Sequence, residues 1–210
     1  MHKPFEYLNT ITASIGMILS YIGFVFLIIL ANKYGSYWHL IWCSVYGVTL
    51  MILHTSSTIY HGTTYSKLKR KFRYLDQSSI YLLIAGTYTP ILLINLYGIW
   101  GWSLLGVIWG LFSIGVVLKM KDIKPFRNYE NYLYLTMGWL CLIAIKPLYN
   151  NIDFIGFLLI VFGGVFFTVG VFFYIWDNKK YFHAIWHLFV LFGCACHYFS
   201  ILFYVIPFKM

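Results

Sequence analysis

The chain is short of charge. Only 10% of its 210 residues are Asp, Glu, Lys or Arg, and acids are scarcest of all, six against 15 Lys and Arg. A soluble domain of this length needs more charge than that on its surface, so the composition excludes one. No repeat and no low-complexity tract divides the sequence, which reads as one integral membrane domain over residues 1–210. Four cysteines are present, Cys43, Cys141, Cys194 and Cys196, all inside apolar runs and none in a Cys-x-x-Cys spacing. A disulfide framework would put them in loops, so they read as packing residues.

What the chain has instead is apolar surface. With 61% hydrophobic and 22% aromatic residues, it carries more than one soluble core of this size could bury, and its solvent is therefore lipid. The formal charge of +9 sits between the apolar runs. That placement fits anionic headgroups at the cytoplasmic face of the cell's inner (plasma) membrane, and it argues against nucleic acid, because no basic stripe lies on a soluble fold. The first apolar run is too long for a signal-peptide core and has no small-residue cleavage site after it, so it is read as a retained anchor.

Stretches free of charged residues cover 7–32, 34–66, 77–118, 131–145, 154–176 and 181–208, each to be compared with the roughly 20 residues a helix needs to cross hydrocarbon. The third is long enough for two helices and is broken at Asn95-Leu96-Tyr97-Gly98, where Asn and Gly allow a tight reversal. The expected fold is an all-α bundle of seven transmembrane helices, near 10–31, 37–61, 75–95, 99–119, 129–146, 153–176 and 182–206. The fifth has the thinnest support, with 15 uncharged residues between Glu130 and Lys146. Basic residues argue for keeping it. With a cytoplasmic N-terminus and an outside C-terminus, seven spans place 12 of 15 basic residues inside: Lys3, the 67–73 cluster, Lys119, Lys121, Lys124, Arg127, Lys179 and Lys180. Only Lys33, Lys146 and Lys209 lie outside, the bias that the positive-inside rule expects.

Polar residues at the ends of these runs carry the chemistry. His183-Ala-Ile-Trp-His187 opens the seventh helix, and histidines four apart project from one helical face, suited to sharing a metal ion. Ser57-Thr-Ile-Tyr-His61 closes the second, and Asp76 is expected to open the third. Seven spans bring all of these to one depth, whereas six would leave His61 about 30 Å from the His183 and His187 pair. Three neutral imidazoles make a common catalytic zinc set with a fourth position open to water. Ser57 shares the face of His61 one turn away and could hold a ligand, a water or Asp76 by hydrogen bond. Asp76 is open to several roles: N-cap favoured by the helix dipole, fourth ligand, general base, or partner fixing an imidazole tautomer. His54 and His197 could extend a deeper polar path, though structural hydrogen bonding is the favoured reading. His39 is placed near the outer interface, His2 is terminal, and Pro90 is expected to kink the third helix.

Ser57-x-x-x-His61, Leu75-Asp76 leading to Tyr81-Leu-Leu-Ile-Ala-Gly-Thr-Tyr-Thr-Pro90, and His183-Ala-Ile-Trp-His187-Leu-Phe-Val resemble the hemolysin III family, the bacterial branch of the progestin and adipoQ receptors. The resemblance covers nearly the whole chain. It implies a seven-helix bundle with zinc on His61, His183 and His187, Asp76 engaging the metal-bound water and Ser57 supporting the site. Gln77 stands where bacterial members often carry a histidine. Through a wider superfamily that includes alkaline ceramidases, the resemblance suggests hydrolysis of a membrane lipid amide or ester. The other class of function left open is a non-enzymatic membrane protein, a cytolysin or a regulator of membrane lipid state, with a structural zinc site.

Overall fold

A computed structural model describes residues 6–121 and 124–208, the side chains of 124–128 excepted. His2, Lys3, Lys209 and the side chains of Lys124 and Arg127 therefore lie outside the described residues. Helices follow one another as α1 (Glu6–Tyr34), α2 (Tyr37–Gly62), α3 (Ser66–Pro90), α4 (Ile99–Met120), α5 (Lys124–Trp139), α6 (Ile145–Asn151), α7 (Phe154–Ile175) and α8 (Phe182–Ser200). There is no strand among the described residues. Seven stretches of 22 to 30 residues are long and apolar enough to cross a bilayer. The fifth, Tyr129–Asn151, joins α5 to α6 through a 3-10 turn at Leu140–Ala144, so the span that the sequence supported least is present.

The hydrophobic effect does not sort these helices, because lipid tails are as apolar as leucine. Small residues and close packing do. Of the third span's most apolar window, 72% is buried inside the bundle, against 22–44% for the others. α3 is thus the axial helix, lying along α2 on one side and α4 on another, while α8 packs on α7 and reaches back to α1. Tyr46, Tyr81, Leu27, Ile108, Met137 and Ile201 are wholly enclosed, and Ile18, Phe26, Trp100, Phe162 and Phe203 point outward, where lipid covers them at no cost. Two glycines admit histidines to the interior. A Cβ on Gly16 would overlap the His54 ring, and one on Gly163 would overlap that of His197.

The interruptions in the helices have local causes. Proline lacks an N–H and crowds the preceding turn, and at Pro90 α3 passes into a π turn, Ile91–Asn95, as such wide turns interrupt helices elsewhere. Between α5 and α6 the Tyr88 phenol inserts into the helical ladder. Its hydroxyl donates to the Gly138 carbonyl at 2.8 Å and accepts from the Cys141 N–H at 2.9 Å, which holds the chain open there; Pro147, with no N–H to offer, lies just beyond.

One expected boundary is wrong, with a consequence for the site. α3 begins at Ser66, not near 75, and its N-cap position is Tyr65. Asp76 is therefore interior to a helix, and the readings that made it an N-cap or placed it on the positive end of a helix dipole fail. Charge-free length marks where a helix lies in hydrocarbon, not where it stops. Lys, Arg and Leu are good helix formers, so the basic stretch before Asp76 continues the helix past the membrane surface. α1 likewise begins at Glu6.

Candidate metal centre

α2 ends and α8 begins at the same end of the bundle. His61, on the last turn of α2, meets His183 and His187 on the first turns of α8. The three rings form a nearly equilateral triangle with centroid separations of 5.0, 4.9 and 4.9 Å. One ligand nitrogen from each lies within 4.8 Å of the others, a set that could hold a metal ion. The ligands come from two helices; the third helix contributes no imidazole, and Asp76 stands outside this group.

Carboxylates behind the rings decide which nitrogen faces inward. His61 Nδ1 donates to Glu6 Oε1 at 2.9 Å, and Lys69 Nζ donates to the same oxygen at 2.9 Å. Glu6 thereby fixes the tautomer that leaves His61 Nε2 with a bare lone pair. Asp177 Oδ2 stands 3.4 Å from His183 Nδ1, the same arrangement in looser form. The two Nε2 atoms then face one another at 3.3 Å. With the proton of His183 on Nδ1, toward Asp177, two lone pairs face each other and repel unless a cation lies between them; with it on Nε2, His183 donates to His61 instead. A tetrahedral zinc with bonds of about 2.0–2.1 Å separates neighbouring nitrogens by about 3.3–3.4 Å, so the His61–His183 spacing matches such an ion, and His187 adds a third imidazole within 4.8 Å.

Beside the triad a cavity of about 830 Å³ opens into the bundle, with Ser57, Asp76, His183 and His187 on its wall. Ser57, on α2, and Asp76, on α3, share that wall. Gln77 donates to the Tyr174 hydroxyl at 3.4 Å, and Tyr174 packs on Trp186. The cavity continues inward past His54 to His197. Both are held to backbone: His54 Nδ1 donates to the Leu50 carbonyl and His197 Nε2 to that of Ile160, each at 3.1 Å. Neither joins the cluster. His39 belongs to the opposite end of α2, where Nδ1 accepts from the Ser36 N–H at 3.0 Å and Nε2 donates to the Phe208 carbonyl at 2.9 Å.

A family model described as Haemolysin-III related matches residues 1–198. The chain belongs to this haemolysin-III-related family. Among its relatives, Hemolysin-3 of Bacillus cereus is 46% identical over 202 residues, 96% of this chain and 92% of the relative. The Hemolysin-3 homolog of Bacillus subtilis (strain 168) is 45% identical over 201 residues, covering 96% and 94%. The human Monocyte to macrophage differentiation factor is more distant, 31% identical over 170 residues, 78% of this chain and 70% of its own.

Sequence reasoning found the histidines of this haemolysin-III-related protein and missed what orients them. Glu6, Lys69 and Asp177 were not among the candidates. One signal was available for two of them: the chain has only six acids, and under a seven-span topology Glu6 and Asp177 fall at the end that bears the histidines.

Proposed function

We propose that this protein is a multi-pass membrane hydrolase that cleaves an amide or ester bond of a membrane lipid, with zinc held by His61, His183 and His187. The observation that carries the reading is the cavity beside the triad. A structural zinc site closes its coordination sphere, whereas a catalytic one keeps open space for water and substrate. The basic loops support a cytoplasmic N-terminus, an outside C-terminus and a place in the plasma membrane, with the site at the cytoplasmic leaflet.

Zinc, when bound, supplies Lewis acidity and makes a water reactive near neutral pH. The chain's own groups do the rest. Glu6 holds the His61 ring with Nε2 inward. Ser57 lines the cavity beside Asp76, and a hydrogen bond from its hydroxyl would aim the carboxylate at the site. Asp76 takes the proton of the attacking water and returns it to the leaving nitrogen or oxygen. The apolar wall receives the acyl chain and keeps bulk water from the reacting carbonyl.

Asp76→Asn tests the reading. The variant is expected to retain bound metal and folding while losing at least about 10²-fold in turnover of a lipid amide or ester; full turnover would reject the role of the carboxylate. The name Hemolysin-3 carried by the Bacillus cereus relative supports a second reading, a lytic protein with a structural metal. That reading expects no lipid hydrolysis from the parent and undiminished lysis of red cells by Asp76→Asn.

A further inference from the structure

α3 turns one face to the cavity along its length. Arg73, Asp76, Ile80, Leu83 and Thr87 recur there at intervals of three and four residues. The face is cationic at the mouth, acidic beside the histidines and apolar beyond. Arg73 lies about 4.5 Å along the axis from Asp76, and Thr87 roughly 16 Å beyond it on the other side. Lys69 and Arg70 complete the mouth.

The basic residues of α3 are not equivalent. Lys69 is engaged by Glu6 at 2.9 Å, and neither Arg70 nor Arg73 is paired with a carboxylate among the described residues. Lys67 and Lys71, on the same turns, do not line the cavity. Arginine thus occupies the two mouth positions that no carboxylate engages among the described residues, and the one lysine at the mouth, Lys69, is held by Glu6. A guanidinium presents a rigid fork matched to phosphate oxygens, while an ammonium acts as a point charge toward any anion.

We infer that the cavity mouth is a phosphate site, and that the lipid entering this cavity bears an anionic phosphate head. Arg70 and Arg73 grip the head, the acyl linkage comes to rest beside Asp76, and the chain runs past Ile80 and Leu83. The fate of the lipid rests on the hydrolase reading; its binding does not.

The experiment uses the full-length, metal-loaded protein in nanodiscs of neutral lipid, with fluorescent lysophosphatidic acid and a monoacylglycerol of the same chain. Binding and turnover are measured in parallel. The parent is expected to prefer the phosphate-bearing lipid by roughly tenfold or more. Arg70→Gln with Arg73→Gln removes that preference and leaves binding of the neutral lipid unchanged, and Lys67→Gln with Lys71→Gln keeps it. Arg70→Lys with Arg73→Lys, which preserves charge and helix propensity, reduces the preference. Equal affinity of the parent for both lipids overturns the inference, as does a preference lost equally in the lysine pair, the signature of bulk attraction. Competition by glycerol 3-phosphate as strong as that by the lipid assigns the site to a free phosphate and overturns the lipid assignment. Preference without turnover upholds the phosphate site and removes the hydrolase reading; turnover without preference does the reverse.

Discussion

Glu6 offers the most direct test of how the triad is held. Its Oε1 accepts from His61 Nδ1 and from Lys69 Nζ, each at 2.9 Å, although it is 55 residues from His61 in sequence. Replacing it with glutamine keeps the volume and one acceptor, but the bond to His61 loses its charge, and charge-assisted bonds are roughly twice as strong as neutral ones. Lys69 is also left without its counter-charge beside the site. Loss of a carboxylate behind a metal-bound histidine typically costs ten- to a hundredfold in affinity, about 1.4–2.7 kcal/mol. Glu6→Gln belongs at the lower end of that range, because the tautomer of His61 is still favoured. Glu6→Ala, which frees the ring to turn and to exchange its proton, belongs at the upper end. Competitive titration of purified protein against a colorimetric zinc chelator measures the difference directly. If Glu6→Ala binds zinc as tightly as the parent, Glu6 does not orient the ring, and the argument that two bare Nε2 lone pairs face each other fails with it.

Metal removal is expected to destabilise the bundle where α2 meets α8, since zinc at about 100 times its Kd adds about 2.7 kcal/mol to the folded state. A chelator should therefore lower the thermal midpoint of the parent and leave that of His187→Ala unmoved; equal shifts would place the ion elsewhere. Tyr88→Phe leaves the Gly138 carbonyl and the Cys141 N–H without their shared partner. It should cost about 1–3 kcal/mol by reversible unfolding in mixed micelles, and an unchanged midpoint would show that the break between α5 and α6 does not depend on the phenol.

Much of this protein is legible without coordinates because transfer into lipid is a local property. Whether a stretch of about 20 residues enters hydrocarbon depends on those residues alone, and that is why the number of spans and their order emerge from composition. The pairing of His183 with His187 is equally local, set by the helical repeat. Their meeting with His61 follows from span parity, since an odd number of spans brings the end of α2 and the start of α8 to one surface. The start of α3 was misplaced for the converse reason: a charged stretch leaves the membrane without ceasing to be a helix.

What the sequence determined by itself is the solvent, the number of crossings and the end of the bundle at which the histidines gather, all consequences of short-range patterning and parity. Tertiary structure alone decided that Glu6 and Asp177 stand behind the rings, and that Asp76 of α3 and Ser57 of α2 line one cavity beside them. Those facts depend on how the helices rotate and pack against one another. In a solvent as apolar as the helices' own surfaces, that packing is set by glycines that admit rings such as His54 and His197, and by buried bonds such as those of Tyr88.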